Sequence, residues 1–248
     1  MNGFLLAMKT SLRVGLSLLA VASLTPCLAG PKEDVQAAVA RWSEAANYTW
    51  TARTEVEGSN WGGGTTTGKA AKGGWAVLSQ TRQDATTMAV RKGEVGVVKT
   101  DAGWQTAEEI RSARQAGGGG GGGVRGTMLL WARMPAEDAK TVLANIGEMK
   151  ESEGAMVGML SEAGAKELLS LNRGRGGQGQ RAEARDAKGS VRFWLKDGQV
   201  AKMEMKLSGT FTMNNEDRNV VRTTTYEIKD IGTTMVNVPA DAKAKLGS

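Results

Sequence analysis

The strongest constraint in this chain is an alternation of period two near its C-terminal end. Val191, Phe193 and Leu195 alternate with Arg192, Trp194 and Lys196, and Asp197-Gly198 follows. Then Ala201, Met203, Met205 and Leu207 alternate with Lys202, Glu204 and Lys206. Successive side chains of a strand point to opposite faces, so each run carries one apolar face. Asp-Gly accepts the positive φ that a two-residue hairpin turn demands. A hairpin written this way has to lay its apolar face on a core.

The rest of the chain supplies more strands and the helices to cover them. Val35, Ala38, Val39 and Trp42 fall at i, i+3, i+4 and i+7 and predict an amphipathic helix over 33–46, followed by a strand from Tyr48 to Val56. Gly58 to Gly64 reads as a turn-rich linker. Short β-rich runs follow at 65–72, 75–81, 86–91 and 94–100, separated by Gly73-Gly74, Gln83-Asp84 and Lys92-Gly93, which suits an antiparallel meander. Helices are expected over 107–115, from Pro135 to about Ile146, and over 161–171 with Ser161 as cap; a hairpin joins 148–151 to 155–160. A further strand over 219–229 and a short helix over 240–246 close the chain. Helix, strands, helices and strands again, with no βαβ rhythm, predict a single antiparallel α+β domain over 31–248. Glycine-rich loops interrupt it at 117–123 and 172–180.

The N-terminal 30 residues are set apart. Lys9 and Arg13 precede an apolar run from Val14 to Leu24, and small residues follow through Gly30, the pattern of a cleavable secretory signal. The apolar run is too short to span a bilayer, so the mature chain is expected to have no transmembrane segment and to reside in the periplasm or otherwise outside the cytoplasm. Cys27, the one cysteine, invites a lipid-modified N-terminus, but Pro26 stands where such a site wants a small residue.

Composition narrows the chemistry. The chain has no histidine, which excludes histidine triads, histidine general bases and histidine metal sites, and removal of Cys27 takes away the last thiol. No metal and no cofactor is expected, and the protein reads as non-enzymatic. A hydrolase built on paired carboxylates would have to draw on residues such as Glu55, Glu57, Asp84, Glu94 and Asp101, which fall on polar strand faces or in turns. The net charge of +6 is scattered, and the lone Arg173-Gly174-Arg175-Gly176-Gly177 is no repeated nucleic-acid element, so no nucleic-acid partner is expected.

What remains is the apolar face of the sheet. Trp50, Val77, Met88, Val90, Phe193, Leu195, Met203, Met205 and Leu207 are expected to point inward from strands in both halves of the chain. Leu129 and Trp131 lie in an apolar segment just after the glycines, placed to swing over a cavity as a lid. Methionine, 12 residues in all, adapts to irregular apolar guests. A curved sheet so lined encloses an acyl chain, or else its own helices fill it and these side chains are ordinary core.

The order of elements and several phrases resemble the periplasmic lipoprotein-carrier superfamily, the LolA-like and LppX-like proteins. They are Gly73-Gly74-Trp75-Ala76-Val77 with Lys92-Gly93, the Gly103-Trp104 turn, Phe193-Trp194-Leu195-Lys196-Asp197-Gly198, Asp230-Ile231-Gly232-Thr233-Thr234 and Val236-Asn237-Val238-Pro239-Ala240-Asp241-Ala242. The resemblance implies a strongly curved antiparallel sheet, an incomplete β-barrel closed by helices, that shelters a lipid or lipoprotein acyl chain. From another class, an envelope scaffold with a self-filled barrel, partnered by an envelope protein and holding no ligand, fits the same pattern.

Overall fold

A computed structural model describes residues 30–58, 64–82, 85–117, 121–170, 184–213 and 216–247. The expected signal up to residue 29 with Cys27, most of the linker at 58–64, and the loop at 172–180 lie outside the described residues. The first element of the described residues is helix α1 (Pro31–Glu44), whose buried stripe is Val35, Ala38, Val39 and Trp42. Six strands follow: β1 (Asn47–Val56), β2 (Thr65–Ala71), β3 (Trp75–Arg82), β4 (Ala85–Lys92), β5 (Val95–Thr100) and β6 (Gly103–Thr106). Three helices come next, α2 (Ala107–Gln115), α3 (Gly121–Leu130) and α4 (Pro135–Ala144). The remainder is β7 (Ile146–Ser152), β8 (Ala155–Leu160), α5 (Glu162–Ser170), β9 (Arg185–Lys196), β10 (Gln199–Met213), β11 (Glu216–Lys229) and α6 (Ala240–Lys245).

All eleven strands join one antiparallel sheet in the order β6-β5-β4-β3-β2-β1-β11-β10-β9-β8-β7. Two meanders, β1–β6 and β7–β11, are thus fused where β1 pairs with β11. The sheet does not close, since β6 and β7 are its two edges. Laid flat, ten inter-strand steps would span about 48 Å. Yet one continuous buried cluster runs from Val98 on β5 to Met149 on β7, with α1, α3, α4 and α5 inside it, so the sheet is strongly curved around the helices as an incomplete barrel.

Local chemistry explains the element ends. Asp197 and Gly198 both have positive φ, 51° and 71°, as a two-residue hairpin turn requires. Thr106 and Glu109 form a reciprocal cap at the start of α2, and Ser161 accepts from the Gly164 amide at 3.1 Å at the start of α5. One segment departs from expectation: α3 begins at Gly121, inside the stretch expected as a loop over 117–123. Its Gly126 fits closely on β5, where an added Cβ would meet a Val98 methyl at 2.1 Å. Burial of Leu129 and Leu130 there outweighs the helix cost of glycine, about 1 kcal/mol per residue.

Strand register fixes which side chains face the hollow. Ile228, Trp50, Gly68, Leu78, Ala89 and Val98 are successive partners across six strands and form one inward row. The Trp50 ring lies flat over Gly68, where a Cβ would come within 2.0 Å of it. On the outer, convex face Val77, Val90 and Val97 are partners in turn. They are covered by Val238, Ala242 and Leu246, because the C-terminal segment crosses the back of the sheet and ends at α6.

Gly68→Ala is expected to lose about 2 kcal/mol in urea unfolding, because the indole has to leave its rotamer or the strands have to part. A chain ending before Pro239 should keep its far-ultraviolet spectrum but lose about 2–3 kcal/mol and bind more of an apolar dye, since Val90 and Val97 lose their cover.

Candidate functional site

Beside the apolar row through Trp50, the concave face also passes from greasy to polar away from β9 and β10. One row across it reads Phe193, Met203, Tyr226, Ala52, Thr66, Gln80 and Thr87. Large apolar groups on β9 and β10 thus give way to an alanine and then to threonines and a glutamine on β2 to β4. Two helices lie on the greasy part, α1 against β7 to β10 and α5 against β8 to β10, while α3 lies at the other end against β4 and β5.

This sorts the residues expected to line a cavity. Trp50, Leu129, Phe193, Met203, Met205 and Leu207 come together in the large buried cluster, with Trp131 and Leu195 partly buried against it. Trp50 is 3 % exposed and Phe193 0 %, so these side chains are packed against protein atoms. Val77, Met88 and Val90 are not with them. Strand parity puts all three on the convex face, Val77 and Val90 under the C-terminal segment and Met88 in solvent at 38 % exposure. The inward positions of β3 and β4 are Ala76, Leu78 and Ala89 instead.

α4 packs between α1 and α5, buries Ala136, Ala139, Val142 and Leu143, and reaches the sheet through the bond between Asp138 and Tyr226. An aromatic run lies nearby: Trp42 meets Tyr48 edge-on with centroids 5.5 Å apart, and Tyr48 meets Trp50 at 5.6 Å. Burial and, less strongly, the Glu137 charge push the Tyr48 hydroxyl well above its ordinary range.

At the α4 N-terminus a groove of about 390 Å³ opens between α1, the β2–β3 turn and the first turns of α4. Tyr48, Ala70 and Ala76 contribute apolar surface to it, while Lys72, Arg91 and Lys140 bring positive charge and Glu94 and Glu137 negative charge. Its size lies in the range of small-molecule sites, about 300–1,000 Å³. Arg91 also donates to the Ala132 carbonyl, tying β4 to the segment between α3 and α4.

Under α4 lies a buried polar cluster that sequence reasoning missed. Asp138 is 5 % exposed. The Tyr226 hydroxyl donates to its Oδ2 at 2.6 Å, and Arg133 Nε lies 3.0 Å from its Oδ1. Arg133 Nη2 also donates to Thr141 Oγ1 at 2.6 Å. From β11, Arg222 donates to the Leu168 carbonyl at 2.9 Å and directs its charge toward Asp138. Desolvation dominates here: it holds the Asp138 carboxyl above the usual aspartate range against the opposing pull of Tyr226, Arg133 and Arg222. Burial likewise raises Tyr226 and lowers Arg222.

One signal for this cluster was present in the sequence. With Pro135, Ala139 and Val142 on the buried face of α4, position 138 falls on that same face, so its carboxylate needs partners. Among the described residues, no three or more of His, Cys, Asp and Glu gather into a metal site. No described helix is long and apolar enough to cross a membrane.

No protein-family model matches the sequence, and no curated protein matches it. Among solved structures, the chain is similar to lipoprotein LppX of Mycobacterium tuberculosis, with TM-score 0.47 and 9 % identity over 84 % of this chain and 98 % of that one. It is also similar to LprF of Mycobacterium bovis, with TM-score 0.45 and 11 % identity over 86 % of this chain and 97 % of the other. A LolA-superfamily protein of Nitrosomonas europaea aligns with TM-score 0.31 and 8 % identity over 84 % of this chain and 96 % of its own.

Proposed function

We propose that this is an exported, non-enzymatic protein that binds the acyl chain of a lipid or lipoprotein on the concave face of its half-barrel, entering by the groove at the α4 N-terminus. The observation that carries this reading is the groove itself, floored by Tyr48, Ala70 and Ala76 and bounded by the first turns of a helix that faces the sheet with small side chains. An acyl chain extended from the groove takes the place of α4 over Trp50 and Tyr226, exchanging one apolar contact for another.

Magnitudes support an exchange. Burying a dozen methylenes gains about 10 kcal/mol, and uncovering Ala136, Ala139, Val142 and Leu143 costs about 6 kcal/mol. The surplus is small once the entropy of association is included. Near balance suits a carrier, which has to release its cargo as well as take it. In this reading Trp50, Leu129, Trp131, Phe193, Leu195, Met203, Met205 and Leu207 are the apolar walls that the helices shield in the closed state. Val77, Met88 and Val90 have no part in it.

The packing of Phe193, Met203 and Leu207 against helices favours a second reading, an envelope scaffold whose barrel is filled by itself. Native mass spectrometry and tryptophan quenching separate the two. Protein extracted gently from its source should carry a lipid mass, and a brominated long-chain fatty acid should quench buried tryptophan emission, with the quenched fraction falling in Trp50→Phe. A bare protein mass together with no quenching, under conditions that preserve lipid on an established carrier, rejects acyl binding and leaves the scaffold.

A further inference from the structure

Asp138 is the one charged side chain in the core among the described residues, and it lies at a mechanical junction. Tyr226 binds it to β11, and Arg133 binds it to the segment that joins α3 to α4. Arg133 reaches on to Thr141, one turn along α4, so its guanidinium braces this segment against the helix. Tyr226 itself is held by the sheet between Ala52 of β1 and Met203 of β10. The two ends of the bond to Tyr226 are 88 residues apart in sequence, so it fastens α4 to the sheet.

We propose that Asp138 is the latch of the concave face: its contacts with Tyr226 and Arg133 hold α4 seated, and lifting α4 breaks them and carries its carboxyl group into water. The purpose of this device rests on the acyl-binding reading, because lifting α4 is what uncovers the apolar floor. Its physical basis does not. The groups that face Asp138 are Tyr226 and Arg222 from β11, Arg133 from the segment before α4, and Glu137 from α4 itself; α5 contributes the Leu168 carbonyl that holds Arg222. The two arginines and the phenol favour the carboxylate, whereas burial and Glu137 favour the neutral acid, and burial is the largest influence.

The direction of the pH effect follows. An acid that holds its proton more tightly when seated than in water favours the seated state as pH falls. Closure is therefore strongest near and below the ordinary aspartate value of 3.8 and weakens as pH climbs toward the higher value of the seated group. Above that value the weakening is complete, because both states are then ionised. Rising pH loosens α4 and falling pH seats it.

Hydrogen exchange of the lipid-free chain, followed by mass spectrometry between pH 4 and 8 and corrected for the intrinsic rate, tests this. Peptides covering 126–144 should lose protection as pH rises through the titration window, by up to tenfold per pH unit, the limit for one proton. Peptides from β9 and β10 should show no such slope. Asp138→Asn should abolish the slope over 126–144. Tyr226→Phe keeps the carboxyl group but removes a hydrogen bond that favours its ionised form, so the slope should persist and extend to higher pH. This second variant keeps the test decisive if Asp138→Asn does not fold. Protection over 126–144 that ignores pH, a slope that survives in Asp138→Asn, or no upward shift in Tyr226→Phe overturns the latch. A slope found in protein that carries no lipid and shows no quenching sustains the latch and rejects only acyl binding.

Discussion

The contact on which the rest of this structure depends is the indole of Trp50 lying flat on Gly68. β1 joins the two meanders, so whatever fixes its register fixes both halves of the sheet. A ring of this size needs a bare strand beside it, and glycine is the one residue that leaves the surface clear. With Trp50 settled there, Ile228 lies on one side of it, and Leu78, Ala89 and Val98 continue the row through β2. Tyr48 then falls on the same face, against Trp42 of α1, and the first helix is anchored by the same stack of rings.

On that floor stands a helix of mixed character. α4 offers alanines where a tightly locking helix would offer leucines, and it buries one carboxyl group where an apolar side chain would be more stable. The small side chains weaken its apolar hold, and the bonds of the carboxyl group to Tyr226 and Arg133 take over part of that task. Ion pairs elsewhere are of another kind: Arg185 with Asp217 and Lys206 with Glu57 are more than half exposed and add little. The polar contacts that matter to the hollow converge on one residue.

Much of the fold was legible because turns and alternation agree. The Asp197-Gly198 hairpin, the Pro135 start of α4 and the Ser161 cap of α5 are each written in a few local residues, and each is found in place. The open, curved antiparallel sheet closed by helices matches the resemblance. What could not be read was the parity of β3 and β4. Val77 and Val90 are as apolar as the inward positions, because the C-terminal segment gives the convex face a small core of its own. Period two then says that a strand alternates but not which side is in. A Met88 read together with Val90 inherited that error. Asp138 was missed for the opposite reason: an acid in the first turn of a helix is ordinary at the surface, and only the helical wheel through Pro135, Ala139 and Val142 marks it as buried.

The pairing of β1 with β11 bears on how such a chain comes to be assembled. Thr54 and Thr224 face each other across that seam, 170 residues apart. A ribosome delivers β1 before the other strands described here and β11 after all of them, so the seam is the last join that synthesis permits. Until then the first meander waits with an open flank of unsatisfied amides, ready to accept a strand from any neighbouring molecule. Threonines together with Arg53 and Glu55 along that flank make it a poor template for such mispairing. Closing so distant a pair is slow, and the hazard of aggregation is concentrated in the interval before the seam forms.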